Sequence, residues 1–385
     1  MATFFSDIFG NLMNIDLKMV IMWLIGGTLI YLAIAKEMEP SLLMPLGFGA
    51  ILVNLPQSGV LDQIVSVTEA GEPVIERGAF EVLFGAGIAN ELFPLLLFIG
   101  IGAMIDFGPL LTNPKLMLFG AAAQFGIFFT LSMSSLFGFS IEDAASIGII
   151  GAADGPSSIF VSQYLHSTYQ GAIMVAAYSY MALVPIIQPP VIKLITTKEE
   201  RLIRMNYEPH SVSQKTKILF PIIITVVVGL VAPKSLSLIG FLMFGNLIRE
   251  CGVLNSISAS AQNELANLVT IVLGISISTK MKADEFLKPE TLLIMLLGLV
   301  AFIFDTVGGV MFAKIINLFL PKDKKLNPMI GATGISAFPM SARVVHKMGL
   351  EEDPQNFLLM QTIGVNVSGQ IASVIAAGVL LNLVG

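Results

Sequence analysis

Between Met19 and Val384 the chain passes through one apolar run after another, with little polar sequence separating them. A full membrane crossing needs roughly 20 apolar residues. Leu116–Phe139, Ala144–Leu165, Ala172–Ile195, Thr291–Leu320 and Phe357–Val384 are of about that length or longer. Only 12% of the residues are charged, about half the roughly 25% of an ordinary soluble domain. The chain therefore reads as an all-α polytopic membrane protein with about ten to twelve membrane segments. Shorter runs interrupted by Gly or Pro, notably Leu42–Leu55 and Leu236–Ile248, read as half-spans or re-entrant hairpins. At the N-terminus there is no basic region of the signal-peptide kind, and Met19–Ala35 is longer than a typical signal core. Phe5, Ile8, Phe9 and Leu12 recur at i, i+3, i+4 and i+7, which predicts an interfacial helix within residues 1–18.

One stretch stands out, Ile147 to Gln163, reading IGIIGAADGPSSIFVSQ. An apolar helix-like run breaks at Gly151, a carboxylate follows at Asp154, and Gly155-Pro156 leads into a second apolar start at Ile159. Irregular backbone at membrane depth is tolerated only where it is buried in protein or lines a water-filled cavity. An ionisable group there is a functional candidate by default. A helix cap is the plainer role for Asp154, and one residue can serve as both cap and ion site.

The long connections differ in charge. Gln57–Asn90 carries Asp62, Glu69, Glu72, Glu76 and Glu81 against Arg77, whereas Lys193–Lys217 carries Lys193, Lys198, Arg201, Arg204, Lys215 and Lys217. The positive-inside rule makes the second segment cytoplasmic, together with the loop holding Lys322, Lys324 and Lys325. That basic segment also separates two halves with matching motifs in the same order. Gly47, Gly59, Val60 and Leu61 align with Gly240, Gly252, Val253 and Leu254, Gly100 with Gly274, and GAADGPSS at Gly151 with GATGISAF at Gly331. Broken segments at corresponding places in two halves point to the binding site of inverted-repeat transporters. The expected organisation is an interfacial helix (1–18), a first membrane repeat (19–195), a basic cytoplasmic linker (196–217) and a second repeat (218–385). The repeats have inverted topology, and their broken helices meet near the membrane midplane.

The second break, NPMIGATGISAFPMSARVVHK, offers neutral oxygens at Asn327 and Ser336, suited to a hard cation. Arg343 follows Ser336 by seven residues, placing it on the same stretch of helix if the helix is unbroken. Its guanidinium either snorkels to the headgroups or recognises an anionic substrate group. Asn366 is a third polar interruption, Tyr178 and Tyr180 read as belt aromatics, and Asp305 is a buried carboxylate with no local helix break. Lone Cys251 excludes an internal disulfide, the three scattered histidines do not suggest zinc, and nothing points to nucleic acid. There is no GxxxxGK[ST] loop, so ATP is not the energy source.

At GAADGPSSIF with Tyr180, at Asn327, Gly331, Ser336 and Arg343, and along LMPLGFGAILVNLP and IGVNVSGQIASVIAAG, the sequence resembles the β subunits of the sodium-pumping biotin-dependent decarboxylases. These are the oxaloacetate, methylmalonyl-CoA and glutaconyl-CoA decarboxylases, and the shorter length here favours the acyl-CoA branch. The resemblance implies a multi-pass subunit in a prokaryotic plasma membrane. It decarboxylates carboxybiotin carried by a partner and exports sodium while consuming a proton. The implied partners are a biotin carrier with a carboxyltransferase α subunit and a small γ-type membrane subunit, with a β trimer as the assembly. Carried over by motif, Asp154 is the sodium- and proton-linked aspartate, and Asn327, Ser336, Tyr180 and Asn366 are associated with sodium. Arg343 matches the family's arginine, for which the resemblance implies carboxybiotin binding or proton handling, and the mechanism so implied makes Tyr180 a candidate for the proton relay. From the residues alone, the competing reading is a sodium symporter for an organic anion with no chemistry of its own.

Overall fold

The apolar runs become helices of two kinds, long ones that can cross a bilayer and short ones that stop inside it. The computed structural model describes residues 10–67, 73–205 and 212–385. In chain order the helices are α1 (Leu17–Ala35), α2 (Pro40–Val53), α3 (Ala79–Gly87), α4 (Leu92–Met104), α5 (Gly108–Thr112), α6 (Met117–Ala123), α7 (Phe125–Leu136) and α8 (Ile141–Gly148). They continue as α9 (Gly155–Tyr164), α10 (Gln170–Ile195), α11 (Gln214–Val231), α12 (Leu236–Glu250), α13 (Ala266–Ile277), α14 (Pro289–Phe319), α15 (Met340–Glu352) and α16 (Leu359–Val384). Seven helical stretches among the described residues are long and apolar enough to span a membrane, or eight if a bent pair is counted as one span. That is fewer than the ten to twelve segments expected. The difference lies in runs that split: Ala144–Leu165 becomes α8, a 3-10 turn (Ile149–Ala152) and α9, while Pro328–Ala342 becomes a 3-10 segment (Pro328–Gly334) and the start of α15. The protein is an all-α multi-pass membrane protein.

Two details depart from the sequence reading. The acidic connection holds a small antiparallel hairpin, β1 (Asp62–Val67) and β2 (Pro73–Arg77), in which Asp62 faces Arg77. Phe5, Ile8 and Phe9 lie outside the described residues, and Gly10–Asn14 forms a 3-10 turn before α1.

The chain divides into two compact units, Met1–Phe93 with Asn267–Leu293, and Pro94–Ala266 with Ile294–Gly385. In the first, α1 and α2 touch backbone to backbone. A Cβ on Gly26 would come within 2.6 Å of the Gly47 carbonyl oxygen, and the reverse distance is also 2.6 Å. Small residues permit this approach, which dispersion then rewards. Asn54 fastens the end of α2, donating to the carbonyls of Ala50 and Met281 at 2.8 Å each and accepting from Ala283 N–H at 2.7 Å.

In the second unit, α16 is the most buried of the candidate spans. Phe119, Ile127, Ile149, Val365, Ile371 and Leu380 belong to the core cluster of this unit. Helix α10 crosses this unit despite Pro185, Pro189 and Pro190 within it. Each proline removes an N–H donor from the helical ladder. Gln188 beside them turns inward, donating to the Ala332 carbonyl at 2.7 Å and accepting from Ser341 Oγ at 2.9 Å. The basic linker is tied to the end of α15 by Arg201–Glu352 and Arg204–Asp353, both 2.6 Å. The matched glycines Gly59 and Gly252 both adopt positive φ, +67° and +75°, after short helices of comparable length. Only glycine takes that conformation without steric cost.

Candidate ion site at two helix breaks

The first break is built by local chemistry. Helix α8 ends at Gly148, four residues tighten into 3-10 geometry, and Ala153 turns left-handed with φ 52°. Asp154 then takes extended backbone as the N-cap of α9, with Pro156 in the first turn. A proline there has no N–H to leave unsatisfied. Asp154 is 4% exposed. Its carboxylate accepts Ser157 Oγ–H at 2.6 Å, Ser157 N–H at 3.5 Å and Ser373 Oγ–H at 3.4 Å. It makes no ion pair among the described residues. A buried carboxylate that stays ionised needs a compensating charge, and none of these partners carries one.

The second break comes to meet it. After the 3-10 segment Pro328–Gly334 the chain is extended, and Ser336 N–H donates to the Ala152 carbonyl at 2.9 Å. Ser336 Oγ lies 2.5 Å from Ser373 Oγ and 3.1 Å from the Gly369 carbonyl, so a hydroxyl chain joins Ser336 to Asp154. Close packing makes this possible. A Cβ on either Gly331 or Gly309 would collide with the other's carbonyl, and the Tyr178 ring occupies the space where a Cβ on Gly155 would sit.

Helix α16 supplies the third wall. Asn366, Gln370 and Ser373 stand at i, i+4 and i+7, one face of the helix. Asn366 donates to the Thr333 and Ile335 carbonyls at 3.1 and 2.7 Å, and Gln370 donates to the Ser336 carbonyl. The carbonyl oxygens of both side chains, and the Tyr178 hydroxyl, are buried without a hydrogen-bond partner among the described residues. One carboxylate and two serine hydroxyls are linked here by hydrogen bonds, and two orphaned amide oxygens belong to residues on the same face of α16 as Ser373. Hard oxygens of this kind are the chemistry that takes an alkali cation.

The other residues singled out in the sequence are placed as follows. Asn327 is fully buried at the far end of the 3-10 segment, seven residues long, which at about 2 Å rise per residue spans roughly 14 Å. Its side chain accepts Met329 N–H at 3.1 Å and donates to the Arg201 and Ile203 carbonyls at 2.9 Å each. As it stands, Asn327 is a clamp on the linker and outside the Asp154 set. Tyr180 and Tyr178 are not belt aromatics, being 7% and 0% exposed. The Tyr180 hydroxyl is given to the Met295 carbonyl at 2.5 Å. Arg343 does not share a helix with Ser336, because α15 starts only at Met340. It is exposed, with no ion-pair partner among the described residues. Sequence reasoning missed Ser157 and Ser373 altogether and gave Gln370 no role. The signal that finds Gln370 and Ser373 is their helical spacing from Asn366.

With this geometry in view, comparison with known proteins is decisive. A family described as the Na+-transporting oxaloacetate decarboxylase beta subunit matches residues 18–384. The chain belongs to this family. Among its relatives are the glutaconyl-CoA decarboxylase subunit beta of Acidaminococcus fermentans, 48% identical, with 95% of this chain and 93% of the relative covered. The methylmalonyl-CoA decarboxylase subunit beta of Propionigenium modestum is 46% identical over 97% of this chain and 96% of its own. A probable oxaloacetate decarboxylase beta chain of Vibrio cholerae is 46% identical over 94% and 95% respectively. As a member, this chain is the membrane β subunit of a sodium-pumping, multi-subunit decarboxylase. Membership also decides against a symporter that performs no chemistry.

Proposed function

We propose that this subunit decarboxylates carboxybiotin presented by a partner and spends the free energy released on exporting sodium through the site around Asp154. The observation that carries this reading is the junction of the two breaks, where Ser336 is hydrogen-bonded to Ala152 and linked through Ser373 to Asp154. Sodium, the transported ion, would be held by the Asp154 carboxylate, Ser336, Ser373 and the free oxygens of Asn366 and Gln370. An ionised carboxylate plus one monovalent cation is net neutral and can persist inside a membrane. In the chemical step, the N–C bond of the N-carboxylate breaks and its electron pair stays on the ureido nitrogen. That nitrogen takes one proton, and carbon dioxide leaves. Export of one charge against 100 mV costs about 2.3 kcal/mol before any concentration gradient, and decarboxylation is the step available to supply it. A proton reaching Asp154 would remove the site's charge and release sodium outward.

Arg343, exposed and without an ion-pair partner among the described residues, is suited to receive the carboxylate with its planar two-pronged donor. Tyr180 and Asn327 act from outside the cation's immediate ligands, Tyr180 near the proton path and Asn327 by holding the linker. The two halves are inverted repeats, supported by the ordered motif matches and the shared positive φ of Gly59 and Gly252. The partners are a carboxyltransferase α subunit, a biotin carrier and a small γ-type subunit, with a β trimer in a bacterial plasma membrane. The acid decarboxylated upstream is chosen on the partner.

The test is decarboxylation rate against sodium at several pH values on the reconstituted complex. Competition between sodium and a proton requires the half-saturating sodium concentration to rise as pH falls, because protonated Asp154 no longer attracts the cation. A sodium requirement indifferent to pH would sink the competition.

A further inference from the structure

We infer that a cavity of about 550 Å3 at the ends of three membrane spans binds the headgroup of an anionic phospholipid. Its depth in the membrane follows from its lining. Lys115 stands at the start of the span Pro114–Leu136, Leu320 just past the end of Pro289–Phe319, and Gln361 in the first turn of Leu359–Val384. Three spans that begin or end at one cavity place it at the level of the lipid headgroups. The Lys/Arg bias of the neighbouring linker makes that face cytoplasmic, where anionic lipids present their charge.

The chemistry of the walls agrees. Lys115 and Lys324 are exposed, line the cavity and make no ion pair among the described residues. Among the described residues no Asp or Glu lines it. A second cavity of similar size, about 570 Å3, is lined by Lys314, Lys322 and Lys325 but also by Glu199 and Glu200, the latter 3.1 Å from Lys314, so most of its positive charge is offset from within. Below Lys115 by one helical turn, Leu118 also lines the first cavity and is 56% exposed, an apolar surface for an acyl chain. Gln361 is 8% exposed, donates to the Met205 carbonyl at 3.3 Å and leaves its own carbonyl oxygen without a hydrogen-bond partner among the described residues. That oxygen is an acceptor for a headgroup hydroxyl. Phosphate on two lysines, a hydroxyl on Gln361 and chains on Leu118 describe a phosphatidylglycerol-like molecule. Met205, which Gln361 holds, also receives the Asn327 N–H at 3.3 Å, so an occupied cavity steadies the wall that Asn327 clamps.

The experiment is a thermal-unfolding titration of the detergent-purified protein with phosphatidylglycerol, phosphatidylcholine or soluble glycerol phosphate. Saturable stabilisation by phosphatidylglycerol is expected, at about 30-fold lower concentration than any effect of phosphatidylcholine, from two lysines near a charged surface. Glycerol phosphate, lacking chains, should be weaker still. Equal stabilisation by glycerol phosphate would replace the lipid with a free phosphate ester. The double substitution Lys115→Gln with Lys324→Gln should abolish the preference. Arginine at both positions should keep it, and Lys198→Gln, in the basic linker outside the cavity, should leave it unchanged. Retention of the preference by the double glutamine variant overturns the site. So does a variant that keeps its lipid response but loses decarboxylation at limiting carboxylated partner, since the lysines would then serve the biotin group.

Discussion

Asp154 and Asp305 are both buried carboxylates in the same unit, 4% and 0% exposed, yet their surroundings differ in kind. Asp154 sits at its own helix break, caps α9 and gathers serine hydroxyls from α9 itself and from α16. Asp305 sits within the unbroken α14 and serves a break elsewhere. Its Oδ1 accepts Ile127 N–H at 3.1 Å, in the first turn of α7 just after the interruption at Gln124. Its Oδ2 has no hydrogen-bond partner among the described residues and lies against Gly151, where a Cβ would come within 2.6 Å of it. A carboxylate at a helix N-terminus is favoured by the orphan N–H groups and the dipole. The two residues therefore hold opposite sides of the Gly151–Asp154 turn, one as its polar centre and one as its outer support.

The sharpest way to break this contrast is Asp154→Asn. It preserves the cap geometry and removes the charge. Sodium-dependent decarboxylation should fall by at least about 100-fold, while carboxyl transfer by the partner is untouched. Full sodium dependence in that variant would remove Asp154 from the site. Next, Gly151→Ala pushes a methyl toward Asp305 Oδ2 and the Ala301 side chain, 3.0 Å away. Overpacking of this kind costs about 1–3 kcal/mol, read as a lower unfolding midpoint with reduced turnover although Asp154 is intact.

Ser373→Ala deletes one hydroxyl shared by Asp154 and Ser336. Half-saturating sodium should rise about tenfold with the maximal rate largely kept, the size of one hydrogen bond to a charged group. A lower maximal rate with unchanged sodium affinity would make Ser373 part of the proton path instead. Asp305→Asn is the mildest. The amide oxygen still accepts Ile127 N–H, so turnover should stay within about threefold of the parent. A collapse equal to that of Asp154→Asn would erase the distinction and make Asp305 a second ion station.

Much of this was legible before any coordinates. The apolar runs demand helices, because hydrocarbon leaves no other partner for the backbone. Gly151, Asp154 and Pro156 announce a break by local conformational preference, and Asn327-Pro328 announces another. The paired positive φ at Gly59 and Gly252 follows from residue type at matched places. What tertiary structure decided is which side chains share a space. Asp305 looked idle because the break it caps is 178 residues away in the chain. Ser373 is 219 residues from Asp154 and reads as an ordinary helix-packing serine. Asn327 carries the motif but spends its amide on the linker, whereas Tyr178, not Tyr180, packs on the turn at Gly155. Backbone preferences are set by a residue and its neighbours, so sequence records them. The partner of a buried polar atom is set by how helices distant in the chain pack, and only the fold supplies that.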